Sequence, residues 1–415
     1  MARAILHVDF NNFYASVECL DHPELMAVPV VVGGDEEARH GIVLSKNEIA
    51  KRQYGVKTGE VLWKVRERCP EVVVLRPHME RYLEYSRFAR DLYGEYTDRI
   101  ESFGLDEAWL DVTGSGVFGT PGHIADELRE RIRREFGITA SVGVSFNKVF
   151  AKLGSDLKKP DATTIISEAN FRERIWGLDV GDLLYVGRAT RAKFARVGIY
   201  TIGDLARFDR KLLGNLLGKH GTMLWAFANG LDASPVALAT EGGTIKSVGN
   251  STTTPRDLTC EEDIKLVLYA IADAVAGRLR KHGLAGRTIS VSIRDCDLFT
   301  FERQRKINHP TQLSGEIAET ALFLFRENYT WMKSVRALGI QVSDLTQEVT
   351  CEQLDIFGEV YRRMKKGEIE RAIDTIRSRY GHDTVLRAAM MKMPDLTGIH
   401  LTQGNFMHAT PIVRN

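Results

Sequence analysis

The residues most able to do chemistry in this 415-residue chain are carboxylates set among apolar neighbours. Asp9 closes the apolar run of RAILHVDF (residues 3–10), and two aromatic residues, Phe13 and Tyr14, follow directly. Asp106 and Glu107 are adjacent in GLDEAWLD (residues 104–111), where Leu105, Trp109 and Leu110 mark a core-forming segment and Asp111 lies beyond. A buried carboxylate needs a partner, because an unpaired buried charge is costly. Side chains adjacent on an ideal strand point to opposite faces, so Gly104 must supply a bend if Asp106 and Glu107 are to converge. Three carboxylates around one point would raise at least one pKa sharply. With two Mg²⁺ the repulsion becomes coordination, since hard cations take oxygen ligands. For Asp9 alone, capping of the next helix is the competing reading. Asp111, past the turn, is expected to pair with an Arg or Lys.

Two basic segments could answer a phosphate. EIAKRQYGVK (residues 48–57) supplies Lys51, Arg52 and Lys57, and NKVFAKLGSDLKKP (residues 147–160) supplies Lys148, Lys152, Lys158 and Lys159. Any one of these lysines has a solvated helix face as its plainer role. Arg52 offers a planar fork suited to phosphate oxygens, and Lys159 is placed just before Pro160. A P-loop is excluded by the lack of its Gly-rich signature.

The elements that must hold these groups follow from periodicity and turn residues. RAILHVDF, PVVVGG (29–34) and EVVVLRP (71–77) are expected strands, separated by a helix-like SKNEIAKRQYGVKTGE (45–60) and a helix around VLWKVRERCP (61–70). A helix over 79–97, strand–turn–strand over 100–115, a helix over 122–137, a strand over 138–145 and a helix over 147–160 complete an α+β half. Residues 170–233 are expected to be wholly helical, and GLDASPVALATEGG (230–243) a linker. Beyond it, strands at 287–295, 299–307 and 334–345 with helices at 261–282 and 311–328 predict a second α+β domain with an open sheet. Arg287, Arg294, Arg303, Arg305 and Lys306 on those strands are placed to track a nucleic-acid backbone. In the tail, Ile369, Ala372, Ile373, Ile376 and Tyr380 form one helix face that is expected to pack.

Composition bounds the rest. Apolar content of 44% and charged content of 27% describe a globular protein of about two to four domains. No apolar run approaches the roughly 18 residues of a membrane span, and His7 and Asp9 break the first apolar segment, which excludes a signal peptide. Five scattered cysteines without a CxxC pair suggest neither a zinc site nor a disulfide framework, and fit the cytoplasm. The net charge of +1 leaves any nucleic-acid grip to local patches.

HVDFNNFYASVE, SFGLDEAWLDVT, ASVGVSFNKVFAKLGSDLKKP and the VGI–T–IGDL hairpin occur in order over residues 1 to about 345. Together they resemble the Y-family DNA polymerases, DNA polymerase IV branch. The resemblance implies an α+β right hand: palm 1–10 and 76–166, fingers 11–75, thumb 167–233 with a helix-hairpin-helix, linker 234–243, little finger 244–345 and tail 346–415. It implies low-fidelity, template-directed transfer of a nucleotide from dNTP to a primer 3′-hydroxyl at damaged DNA, by a cytoplasmic monomer that needs no membrane. Asp9, Asp106, Glu107 and the Phe10 carbonyl match the ligands of two Mg²⁺ ions, for which Mn²⁺ is an alternative. Phe13 and Tyr14 match nucleotide contacts, Tyr14 being the steric gate against a 2′-hydroxyl, and Arg52 and Lys159 match triphosphate contacts. QLDIF, with Gln353, Leu354, Ile356 and Phe357, resembles the pentapeptide that docks on the bacterial sliding clamp.

Four positions depart from the family's habit. Ile49 replaces a tyrosine, Asn11 an aspartate, Gly104 a serine and Trp109 a tyrosine, which puts nucleotide affinity and fidelity in question rather than the chemistry. Two other classes remain. A non-catalytic accessory subunit that binds DNA and clamp is opposed by the three intact acids. A nucleotide cyclase has no use for the helical block, the second α+β domain or QLDIF.

Overall fold

In the computed structural model, residues 3–34, 39, 41–241, 245–347, 358–381, 384–392 and 396 are described. The chain forms two compact units, Met1–Gly33 with Ile42–Gly242, and Gly34–Gly41 with Gly243–Asn415.

The first unit starts with β1 (Ile5–Phe10), whose six residues are all buried. Then come α1 (Phe13–Cys19), β2 (Val30–Gly33), β3 (Val43–Lys46), α2 (Glu48–Tyr54), α3 (Leu62–Arg68), β4 (Val73–Leu75) and α4 (Met79–Gly94). They are followed by β5 (Ile100–Ser102), β6 (Glu107–Asp111), α5 (Pro121–Phe136), β7 (Ala140–Ser145), α6 (Lys148–Leu157) and β8 (Thr163–Ile166). One sheet has the order β5-β6-β1-β7-β8, and a smaller one the order β3-β2-β4. The first places β1 at its centre, antiparallel to both neighbours. The helical block runs through α7 (Phe171–Ile175), α8 (Arg188–Ala195), α9 (Ile202–Arg207), α10 (Arg210–Leu217) and α11 (Lys219–Ala228). It closes on its own core of Phe150, Phe194, Ile202 and Leu224.

Two expectations change here. The expected helix-like stretch at 45–60 begins as strand β3 and turns helical only at Glu48, where Asn47 Oδ1 accepts the Ala50 amide and caps α2. The expected linker is partly built into the fold. Val236 is buried with Ile5, Trp109 and Ala151, and the Ala239 amide donates to the Asp98 carbonyl at 2.8 Å.

The second unit contains β9 (Ser247–Leu258), α12 (Glu261–Lys281), β10 (Leu284–Asp295), β11 (Thr300–Thr311), α13 (Ser314–Asn328), β12 (Val335–Gln347) and α14 (Glu359–Tyr380). Its antiparallel sheet has the order β11-β10-β12-β9. Ile289, Val291 and Ile293 pack with Val267, Ile271 and Phe325 of the two helices on one face. Strand β9 was not expected, because its inward side carries Asn250, Thr252 and Thr254, which hide the apolar alternation. Thr254 is satisfied there by donating to a backbone carbonyl. The tail helix is rotated from its expected face, of which only Ile373 is half-buried. Ile369, Ile376 and Tyr380 are exposed, while α14 docks through Gly367 and a set of ion pairs. Arg280 takes Glu370 and Asp374, Arg363 takes Glu316, and Arg377 takes Asp273.

Candidate active site

The register of β1 assembles the site. Asp9 lies opposite Glu107 on β6 and Ser141 on β7, and two residues earlier His7 lies opposite Trp109 and Gly143. Residues two apart on a strand share a face, so His7 and Asp9 point the same way. Asp106 escapes strand alternation because β6 begins only at Glu107. Asp106 sits in the preceding bend, where its carbonyl accepts the Phe10 amide at 3.0 Å. Gly104 leaves room for it, since a Cβ there would come 3.2 Å from Asp106 Oδ1. The expected bend is present, and it sets Asp106 beside Glu107.

His7, Asp9 and Glu107 each bring a ligand atom within 4.8 Å of the other two. Asp106 is not one of these three but lies beside Glu107, its Oδ1 and Glu107 Oε1 being 3.2 and 3.7 Å from the point a Cβ on Gly104 would occupy. Burial first, then the negative charges of Asp9 and Glu107, push the Asp106 carboxyl up to about 7. Burial also raises Asp9, opposed by Lys159, His7 and Lys152. For Glu107 burial would act the same way, but His7 and the Lys152 ammonium outweigh it and hold the carboxyl down at about 2. A dense set of oxygen donors, one of them raised by burial and by its acidic neighbours, suits a hard divalent cation.

The cations around this cluster sort themselves. Lys159 Nζ is 2.9 Å from Asp9 Oδ2 and 2.8 Å from Asp156 Oδ1. Lys152 pairs with Glu107 Oε2. Lys148 turns away, to Glu101 at 2.6 Å and over the Trp109 ring. Arg52 is exposed on α2 with Nε 2.7 Å from Glu48 Oε2, and Glu48 Oε1 accepts from Asn12 Nδ2 at 3.2 Å. That chain links α2 to the end of β1. Asp111 makes no ion pair among the described residues; Oδ1 instead accepts the Thr113 amide at 3.0 Å, which corrects the expected salt bridge. Asn11 uses its whole amide, accepting from the Asp161 backbone and donating to Ser141.

The two aromatic residues divide. Phe13 is 3% exposed and packs against Phe10 and Tyr82, so its ring belongs to the core and only its backbone remains to meet a substrate. Tyr14 is half-buried and stacks on Tyr82 with centroids 4.1 Å apart and an interplanar angle of 8°. Tyr82 in turn is held by its hydroxyl on buried Glu18, which also takes His78 at 2.8 Å. Burial, and then the charge of Asp106, raise the Tyr14 pKa.

Sequence reasoning missed two groups. His7 was visible as an i−2 neighbour of Asp9 on one strand face. Lys46, whose pKa is lowered by burial and by the charges of Lys51 and Lys159, belongs to the same positive edge.

Residues 8–156 match the impB/mucB/samB family, and residues 245–356 match its C-terminal domain. The chain is 51% identical to DNA polymerase IV of Acetivibrio thermocellus over 94% of this chain and 98% of that one. It is 38% identical to DNA polymerase IV 2 of Bacillus subtilis, over 94% and 95%. The chain belongs to the DNA polymerase IV branch of the Y-family DNA polymerases. A solved Y-family DNA polymerase chimera, Dbh-Dpo4(243-245)-Dbh, shares the fold with a TM-score of 0.74 at 24% identity, covering 83% of this chain and all of the chimera. Divalent-metal dependence is general in this family, as is the use of DNA and nucleotide substrates.

Within the helical block two short helices form a hairpin. Its helices α8 and α9 are joined through Gly198 at φ +77°, and Thr201 closes a capping box with Asp204. On the C-terminal sheet the five expected cations do not share one face. Arg303 and Arg305 pair with Val291 and Ile289, so they project to the helix side, and Arg305 lies over Phe323. Arg294 bonds Thr300, and Lys306 pairs with Asp344. The open face carries Ser247, Ser251, Ser290, Ser292 and Gln341 with Gly249 and Gly339, and, toward β11, Arg294, Glu302, Gln304 and Lys306. The clamp-like residues Gln353, Leu354, Ile356 and Phe357 lie outside the described residues, and no helix described is long and apolar enough to cross a membrane.

Proposed function

We propose that this chain adds nucleotides to a primer end across damaged template bases, at low fidelity, through the site built on β1, the 103–107 bend and α6. The convergence of Asp9, Asp106 and Glu107 at one end of a central strand carries this reading. Asp9, Asp106, Glu107 and the Phe10 carbonyl would hold two Mg²⁺ ions, with Mn²⁺ able to replace them. Such ions lower the pKa of the primer 3′-hydroxyl and neutralise the departing pyrophosphate. The protein's part is position and charge. Lys159 and Arg52 receive the triphosphate, each exchanging a carboxylate partner for phosphate oxygens. The ring of Tyr14, backed by Tyr82, lies under the sugar, and a 2′-hydroxyl would collide with it.

The palm then comprises residues 1–10 and 76–166, the fingers 11–75, the thumb 167–233 and the little finger 244–345. Small hydroxyl side chains with Arg294 and Lys306 on the open face of the little finger suit a duplex held without base readout. QLDIF supplies apolar anchors for a sliding clamp, which raises the local concentration of enzyme at the primer end. The chain works as a cytoplasmic monomer between these contacts.

Incorporation of single dNTPs and rNTPs opposite one template base tests the reading. Native protein should prefer dNTPs, and Tyr14→Ala should lose on the order of a hundredfold of that preference, about 2.7 kcal/mol. Incorporation independent of the template base would refute it, and an equal sugar preference in both proteins would remove Tyr14 as the gate.

A further inference from the structure

His7 is fully buried on β1, between the Trp109 ring, met at 5.2 Å, and helix α6. Its Nδ1 lies 2.9 Å from Ser155 Oγ and its Nε2 lies 3.4 Å from Glu107 Oε2. That second separation is longer than a formed hydrogen bond, and no group among the described residues bonds Nε2, so Glu107 Oε2 is the acceptor it approaches. Ser155 Oγ also lies 2.7 Å from the Lys152 carbonyl. A serine hydroxyl has one proton to give. Given to Lys152, it forces the imidazole to donate through Nδ1, and the Nε2 lone pair then faces a carboxylate in a dry site. Given to His7 Nδ1, it leaves the ring proton on Nε2, aimed at Glu107. The Lys152 carbonyl, inside α6, keeps its helix partner in either case. Burial disfavours the doubly protonated ring, and of the two neutral tautomers only the second turns an Nε2–H rather than a lone pair toward the Glu107 carboxylate.

Two further observations give this a direction. Lys152 contacts the same Glu107 oxygen, Oε2. The other oxygen, Oε1, lies on the side of Gly104, where a Cβ would be 3.7 Å away, next to Asp106 Oδ1 at 3.2 Å from that point. One carboxylate oxygen is thus engaged from behind, and the other is turned toward the neighbouring acid.

We propose that His7, held by Ser155 as its Nε2–H tautomer, is a positioning residue that clamps Glu107 Oε2 and presents Oε1 to the divalent-cation site. It touches neither substrate nor cation. Partners that orient metal-binding carboxylates are commonly worth about 10–100-fold in metal affinity. This inference rests on Glu107 being a ligand, as read above.

Free Mn²⁺, measured by electron paramagnetic resonance on the full chain, is the probe. His7→Leu should weaken Mn²⁺ binding about 10–100-fold. His7→Gln, whose amide nitrogen falls near the position of Nε2, should restore most of it, and Ser155→Ala should fall between. The imidazole ¹⁵N spectrum of native protein, which needs no variant to fold, should show the Nε2–H tautomer. Native Mn²⁺ affinity in a folded His7→Leu protein, or a ring proton on Nδ1, overturns the proposal. If Asp106→Asn and Glu107→Gln also bind Mn²⁺ as native protein does, the carboxylate site itself fails, and the proposal fails with it by a separate signature.

Discussion

Asp106 holds its proton to about pH 7, whereas its ordinary value is 3.8. Between these values the folded chain binds more protons at this site than the unfolded chain. Stability from this group therefore falls as pH rises through the window. A divalent cation must displace that proton, so its affinity has the opposite trend. Mn²⁺ binding should tighten by about tenfold per pH unit from pH 5.5 to 7 and level off above, and Asp106→Asn should flatten the slope. Calorimetric titration at several pH values checks this. Glu107, held at about 2, is ionised throughout and adds no slope.

At the scale of elements, α6 is pressed onto β7 backbone to backbone. A Cβ on Gly143 would lie 1.8 Å from the Ala151 carbonyl oxygen and 2.5 Å from the Ser155 amide. Gly143→Ala should therefore displace the helix that carries Lys152 and Ser155, costing about 3 kcal/mol in denaturant unfolding, at the upper end of overpacking. The tail helix makes a second prediction. Arg280 is nearly buried between Glu370 and Asp374, and removing one member of such a set costs about 3 kcal/mol. Arg280→Met should loosen α14 and speed its cleavage in limited proteolysis, and an unchanged rate would show that the ion pairs do not hold it.

These elements also show what was legible beforehand. The apolar run that ends at Asp9 and the adjacent acids with Gly104 announced both the strands and the bend, because apolar runs and a turn residue agreed. Strand β9 was hidden, since Asn250, Thr252 and Thr254 fill its inward face and polar burial leaves no periodic trace. The docked face of α14 was misjudged for a related reason, its interface being charged and its apolar stripe exposed. His7 was passed over because its role depends on a cross-strand register and on α6, neither of which sequence spacing contains.

On the scale of the whole molecule, family membership, the α+β hand and the carboxylate cluster point to one reaction. In the function proposed above, the open face of the C-terminal sheet would add a grip in which phosphate contacts position the duplex and sequence is not read. All of this hangs on the carboxylates acting as a cation site rather than as a buried ion-pair network. Primer extension with Mg²⁺ and single dNTPs, comparing native protein with folded Asp106→Ala, tests that most directly. The account predicts extension by the native chain and its loss in the variant, with primer–template binding retained by both. Extension undiminished in Asp106→Ala, or none by the native chain although it binds the DNA, would contradict it.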